Sequence, residues 1–241
     1  MCRGLVLAIL TAAAAAQHHA DAQDPHPKRP APVPVHAPHP DLEPRAALAR
    51  LRAGHERFLA ARAAGDEVPA PLPRPAGAGR FVVAVLGCAD AAIDVPARFG
   101  LQARDVLWIA TAGAEVDAGA TALVEWAVAH ERLSLVVVLT HERCASLTAG
   151  SAGAAGPDRP TPVPGAEARG AAARQLAARR RLDLAQAQAL LQCERLLGGS
   201  ALLRQQSAAG RVQLVPASVG PDGAVRWHTT RADELPISPV R

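Results

Sequence analysis

Phe81-Val-Val-Ala-Val-Leu-Gly87 and Leu135-Val-Val-Val-Leu-Thr140 decide the fold. Both are short, continuous, valine-rich apolar runs, the pattern of strands buried on both faces of a parallel sheet. Cys88-Ala-Asp90 follows the first run and His141-Glu-Arg-Cys144 follows the second. In open α/β sheets, binding groups gather just beyond the carboxyl ends of the strands. Two cysteines and a histidine delivered to that edge make a Cys₂His set. This is the ligand type of a catalytic zinc, with a fourth position left for water or another group.

The flanking sequence reads as the rest of such a sheet. Arg104-Asp105 lead into a strand, Val106-Leu-Trp-Ile109, ending at Ala112-Gly113. Ala118 to Glu131 reads as a helix with Leu123, Trp126, Ala127 and His130 on one face, and the 135–140 strand follows directly. This strand–helix–strand order implies a right-handed crossover. Upstream, Asp41 is the expected N-cap of a helix with Pro44 in its first turn, running to Ala64 before Gly65. Leu48, Leu51, His55, Phe58 and Leu59 give that helix one apolar stripe. Gly150 to Gly165 reads as a loop, and Glu167 to Gln206 as helix broken near Gly198-Gly199. Arg211-Val-Gln-Leu-Val215 is a further strand, and Pro221-Asp-Gly223 turns the chain into Ala224-Val-Arg-Trp-His228. The expected fold is α/β: a three-layer α-β-α domain with a mostly parallel central sheet and an N-terminal helical arm.

The chain has 241 residues, of which 49% are hydrophobic, enough for one domain with a proper core once its ends are set aside. Its net charge of +4 is spread without aromatic interleaving, which argues against a nucleic-acid partner. Residues 1–22 read as a signal peptide: Arg3, an apolar run from Leu5 to Ala16, and the small-x-small site Ala20-Asp21-Ala22. That run is too short to span a bilayer, so a periplasmic or secreted protein is expected. Residues 23–40 form a Pro/His-rich linker whose His26, His36 and His39 read as solvated residues rather than ligands. Residues 41–230 are the expected zinc domain, and 231–241 a C-terminal tail.

From about Arg45 to His228 the chain resembles the β-class carbonic anhydrases. Gly54-His-Glu-Arg57-Phe58 is similar to the family's Gly-Asn-x-Arg-Phe, and Cys88 and Asp90 to its Cys-x-Asp. Ala112-Gly113 matches its strand-ending Ala-Gly, and Ala120-Thr-Ala-Leu-Val-Glu-Trp-Ala127 its following helix. His141 to Cys144 is its His-x-x-Cys. Gly210-Arg-Val-Gln-Leu-Val-Pro-Ala-Ser-Val resembles its last core strand, and Asp222-Gly-Ala-Val-Arg-Trp its final hairpin. The resemblance implies a zinc ion on Cys88, His141 and Cys144 and reversible hydration of carbon dioxide to bicarbonate. It also implies a homodimer or higher homo-oligomer, with the arm wrapping a second subunit.

The departures bear on activity. Cys88-Ala-Asp90-Ala-Ala92 replaces the family's Cys-Ser-Asp-Ser-Arg, Ala114 replaces the asparagine after Ala-Gly, and Ala145 replaces a glycine. The resemblance implies that the missing arginine pairs with the aspartate and keeps it off the metal, a strong and geometrically specific contact. Without it, Asp90 is drawn to zinc as a fourth ligand, giving a closed site with weak or pH-gated activity. Arg143 is the nearest replacement in sequence, but alternate residues after a strand point to different sides. A zinc-binding pseudoenzyme acting as a binding or scaffold protein is the alternative. A metal-free relative with a Cys88–Cys144 disulfide is a weaker one. Cys193, among Leu190, Leu191, Leu196 and Leu197, reads as a small buried side chain. His55 reads as packed, Arg57 as structural, and Asp94 and Glu115 as solvated acids.

Overall fold

The computed structural model describes residues 42–75, 80–148 and 165–228. The expected N-cap Asp41, the signal peptide, the linker and the tail lie outside them. Five strands form one sheet in the order β2-β1-β3-β4-β5: β1 (Val83–Cys88), β2 (Val106–Thr111), β3 (Leu135–His141), β4 (Gln213–Val219) and β5 (Val225–Trp227). The first four are mutually parallel, and the short β5 runs antiparallel to β4. The alternation of a strand places successive side chains on opposite faces, and both faces are covered. Val83, Val85, Leu135, Val137 and Leu139 pack with Leu48 and Leu51 of the N-terminal helix and with Val95 and Phe99 of the segment after β1. Ala84, Leu86, Val136 and Val138 pack with Val124, Val128, Cys193, Leu196 and Leu203 on the other side. This makes the expected three layers, and it explains why both runs are apolar at every position.

Helix α1 (Pro44–Ala64) starts at Glu43, whose side chain makes no capping bond, and ends with Gly65 in the left-handed conformation. Pro44 supplies a preset φ at the first helical position. The face carrying Ala47, Leu48, Leu51, Gly54 and His55 is buried against the chain's own sheet, while Phe58 and Leu59 are half-buried. The first three turns of the apolar stripe thus need no second subunit to cover them. His55 is packed, as expected: its Nε2 accepts the backbone N–H of Val225 at 2.8 Å, and burial lowers its pKa. Arg57 donates to the carbonyl of Ala70.

Short α2 (Val95–Arg98) is capped by Asp94, which accepts from the N–H of Ala97. It is followed by a 3₁₀ turn at Ala103–Asp105, α3 (Ala118–His130) and one-turn α4 (Ala145–Thr148). The segment expected as helix broken near Gly198-Gly199 is three helices, α5 (Ala166–Arg180), α6 (Leu184–Gly199) and α7 (Ala201–Ala208): the expected break falls at Ser200, directly after Gly199, and a second one precedes Leu184. Gly198 and Gly199 stay helical. The breaks fall where a side chain restarts the helix: Asp183 accepts from the N–H of Gln186, and Ser200 from that of Leu203. Local capping outweighs the poor helix propensity of glycine here. No helix among the described residues is long and apolar enough to cross a membrane.

Gly54 marks the tightest approach of α1 to the domain. A Cβ there would lie 1.9 Å from the carbonyl oxygen of Phe99. Propensity alone would make Gly54→Ala stabilising by about 1 kcal/mol, yet the clash with backbone outweighs that. A net loss of about 1–3 kcal/mol is expected in urea unfolding monitored by circular dichroism.

Candidate metal centre

The register brings the ligand-bearing strand ends together. Gly87 pairs with Leu139, so Cys88 closes β1 beside Thr140 and His141 closes β3 one step further on. The sulphurs of Cys88 and Cys144 are 3.6 Å apart, with no disulfide between them. Asp90 Oδ1 lies 2.7 Å from Cys88 Sγ and 2.6 Å from His141 Nε2. One ligating atom from each of Cys88, Asp90, His141 and Cys144 falls within 4.8 Å of all the others. All four residues named from the sequence converge.

The surroundings fix each donor. His141 Nδ1 lies 3.0 Å from the carbonyl oxygen of Glu142. A carbonyl only accepts, so Nδ1 carries the proton and Nε2 faces the other donors. The backbone N–H of Gly113 donates to Cys88 Sγ at 3.1 Å, an aim that its left-handed φ of 71° provides. Gly113 is held in turn by buried Gln188, whose Nε2 donates to its carbonyl at 2.7 Å, and Gln192 accepts the N–H of Val116 nearby. Glu115 is not a solvated acid, because Arg169 and Arg195 both donate to it.

Asp90 is held by Ser146. The backbone N–H and the hydroxyl of Ser146 both donate to Asp90 Oδ2, at 3.0 and 3.1 Å. Arg143 makes no such contact and lies exposed in the left-handed region, at φ 54°. Two neutral donors therefore grip the carboxylate where the β-class pattern has an arginine, and they turn Oδ1 toward the other three donors. Ser146, Gln188 and Gln192 were not singled out in the sequence. The one available signal was a hydroxyl residue two places after Cys144.

The charges call for a cation. Contact with Cys144 chiefly draws the Cys88 thiol down to about 5, against burial. The same contact, with burial, pushes the Cys144 thiol up. Burial opposes ionisation of Asp90, but the hydrogen bonds from Cys88 and Ser146 and the charge of His141 hold its carboxyl at about 2. Two thiolates and a carboxylate packed this closely cannot all be ionised without a compensating positive charge. Zinc fits the donor set: tetrahedral bonding at about 2.3 Å to each sulphur implies a sulphur separation of about 3.8 Å, close to the 3.6 Å observed.

A family model described as carbonic anhydrase matches residues 83–222, more than half of the chain. The chain belongs to the carbonic anhydrase family. Among its relatives, carbonic anhydrase 2 of Mycobacterium tuberculosis is 32% identical over 111 residues, 46% of this chain and 54% of that protein. A carbonic anhydrase of Mycolicibacterium smegmatis is 31% identical over 114 residues, with the same coverage. The chain thus spans about half the length of the curated relatives it matches. Of solved structures, the wild-type β-carbonic anhydrase CafD of Aspergillus fumigatus gives a TM-score of 0.49 at 16% identity, covering 66% of this chain and 94% of that one. A β-carbonic anhydrase from Sordaria macrospora, described as tetrameric, gives 0.47 at 17% identity, covering 76% and 92%.

Protein purified without chelator is expected to carry about one zinc per chain by metal analysis. Cys88→Ser and Cys144→Ser should each lose most of it. Full zinc in both variants would place the metal elsewhere.

Proposed function

We propose that this chain catalyses the zinc-dependent, reversible hydration of carbon dioxide to bicarbonate, with Cys88, His141 and Cys144 holding the metal and Asp90 limiting access to its fourth position. The observation that carries this reading is the convergence of those four side chains at the ends of β1 and β3 in a chain of this family. Zinc bound there supplies Lewis acidity, lowering the pKa of a coordinated water toward neutrality. The chain's own residues set how far that chemistry is reached. His141 presents Nε2 because Glu142 holds its Nδ1 proton. The N–H of Gly113 draws charge from the Cys88 sulphur, which would leave a bound metal more electron-poor than bare thiolates would. Ser146 keeps Asp90 facing the donor set, where it competes with water.

A zinc-loaded but inert scaffold protein is the second reading. It is favoured by one observation: Asp90 completes a four-donor set while Ala92 leaves nothing to draw it away. We further infer a homo-oligomer, since Trp108, Leu123 and Trp126 are large apolar side chains left exposed. Light scattering of the purified protein reports its mass. We also infer export to the periplasm or medium, tested by whether the mature N-terminus begins at Gln23.

Stopped-flow carbon dioxide hydration tests the main reading. Slow turnover is expected for the wild type, rising about ten- to a hundredfold in Ala92→Arg, where a guanidinium competes with Ser146 for Asp90. Adding Ser146→Ala to that variant should raise the rate further. If both the wild type and Ala92→Arg are zinc-loaded and inert, the scaffold reading stands. A fast wild type unaffected by Ala92→Arg would mean that Asp90 does not limit access.

A further inference from the structure

Beside the metal centre lies an open cavity of about 240 Å³. Arg62 from the last turn of α1, Arg98 from the end of α2 and Arg143 from the turn between the later ligands line it with Ala92, His141 and Gly223. The position that carries arginine in the β-class pattern is only a methyl group here, and part of the cavity is the space this leaves.

Two of the arginines, Arg62 and Arg98, crowd together. A Cβ on Gly223 would sit 2.7 Å from Arg62 Nη1 and 3.6 Å from Arg98 Nη1, so the two guanidinium groups share one corner. Arg98 donates to the carbonyl of Gly223 and lies over the ring of Phe58 at 5.0 Å, while its Nε is buried without a partner. Burial and then the repulsion of Arg62 lower the Arg98 pKa. Asp94 attracts the charge of Arg98, and Asp90 Oδ1 lies 2.6 Å from His141 at the edge of the cavity. Glu142 lines it but is paired with Arg226 at 2.6 Å, Asp222 lies 3.8 Å from the same Arg226, and Asp94 caps α2. Ala92 and Arg143 both hold positive φ, at 46° and 54°. Backbone conformations of this kind cluster at ligand sites.

We propose that this cavity is a binding site for a phosphate-type dianion, either inorganic phosphate or the terminal group of a small phosphorylated metabolite. Guanidinium forks match such oxygens in charge and geometry. Three arginines facing one already paired carboxylate suit a doubly charged ligand better than a singly charged one. The site uses none of the four metal donors except the flank of His141, so it stands or falls independently of carbon dioxide turnover.

The test is calorimetric titration of the zinc-loaded full chain with inorganic phosphate, and separately with glycerol 3-phosphate, at constant ionic strength. Saturable binding of about one anion per chain is expected, and the tighter of the two ligands identifies the source. Arg62→Gln and Arg143→Gln, both at exposed positions, should each weaken it about tenfold, and the double variant more. A parallel titration with thiocyanate, a monoanion that seeks the metal, should be unchanged in both variants. Phosphate affinity that is equal in wild type and double variant, or lost when thiocyanate is present, would place the anion on the zinc and overturn the proposal. So would the absence of saturable binding up to about 10 mM.

Discussion

Two cysteine sulphurs, an imidazole nitrogen and a carboxylate oxygen are gathered at one end of a parallel sheet, and their mutual repulsion when ionised is the constraint to which the surrounding structure answers. The sheet brings them there by register alone, because β1 and β3 are adjacent and end within one residue of each other. Everything close by either supplies a donor to those anions or orients one. Gly113 and Ser146 give N–H groups, Glu142 takes the proton of His141, and buried Gln188 fixes Gly113. A divalent cation suits this arrangement, because among the described residues no arginine or lysine side chain is paired with the four donors themselves.

The fold and the four donors were legible in the sequence for a simple physical reason. Strands buried on both faces read as unbroken apolar runs, and a ligand that closes such a strand stands out against it. Cys88 and His141 are the last residues of β1 and β3, so position and chemistry coincide. The division of 166–208 into three helices was not legible to the same degree. The break read at Gly198-Gly199 is there, with Ser200 restarting the helix, but the earlier one is set by Asp183, whose capping depends on where the chain must turn. The holder of Asp90 was also out of reach. Ser146 is an ordinary serine in sequence, and its two bonds to Oδ2 exist only because the turn after Cys144 returns to the β1 loop.

Replacing an arginine by a hydroxyl and a backbone N–H changes more than strength. An arginine would add a unit positive charge beside the donors, whereas Ser146 adds none. Zinc held by two thiolates, a carboxylate and a neutral imidazole would leave the centre with one net negative charge, while the arginines of the neighbouring cavity carry the opposite sign. The field across this edge of the sheet is therefore divided between two adjacent regions that meet at His141, instead of cancelling within one.

The bond from Gln188 to Gly113 joins the third layer to the metal edge. Gln188 lies in the second turn of α6 and is fully buried, so the Gly113 N–H that steadies the Cys88 sulphur is only as fixed as that helix. Opening of α6 and release of a metal ion thereby become parts of one event rather than two. The residence time of a bound ion would then serve as a gauge of how often α6 comes undone.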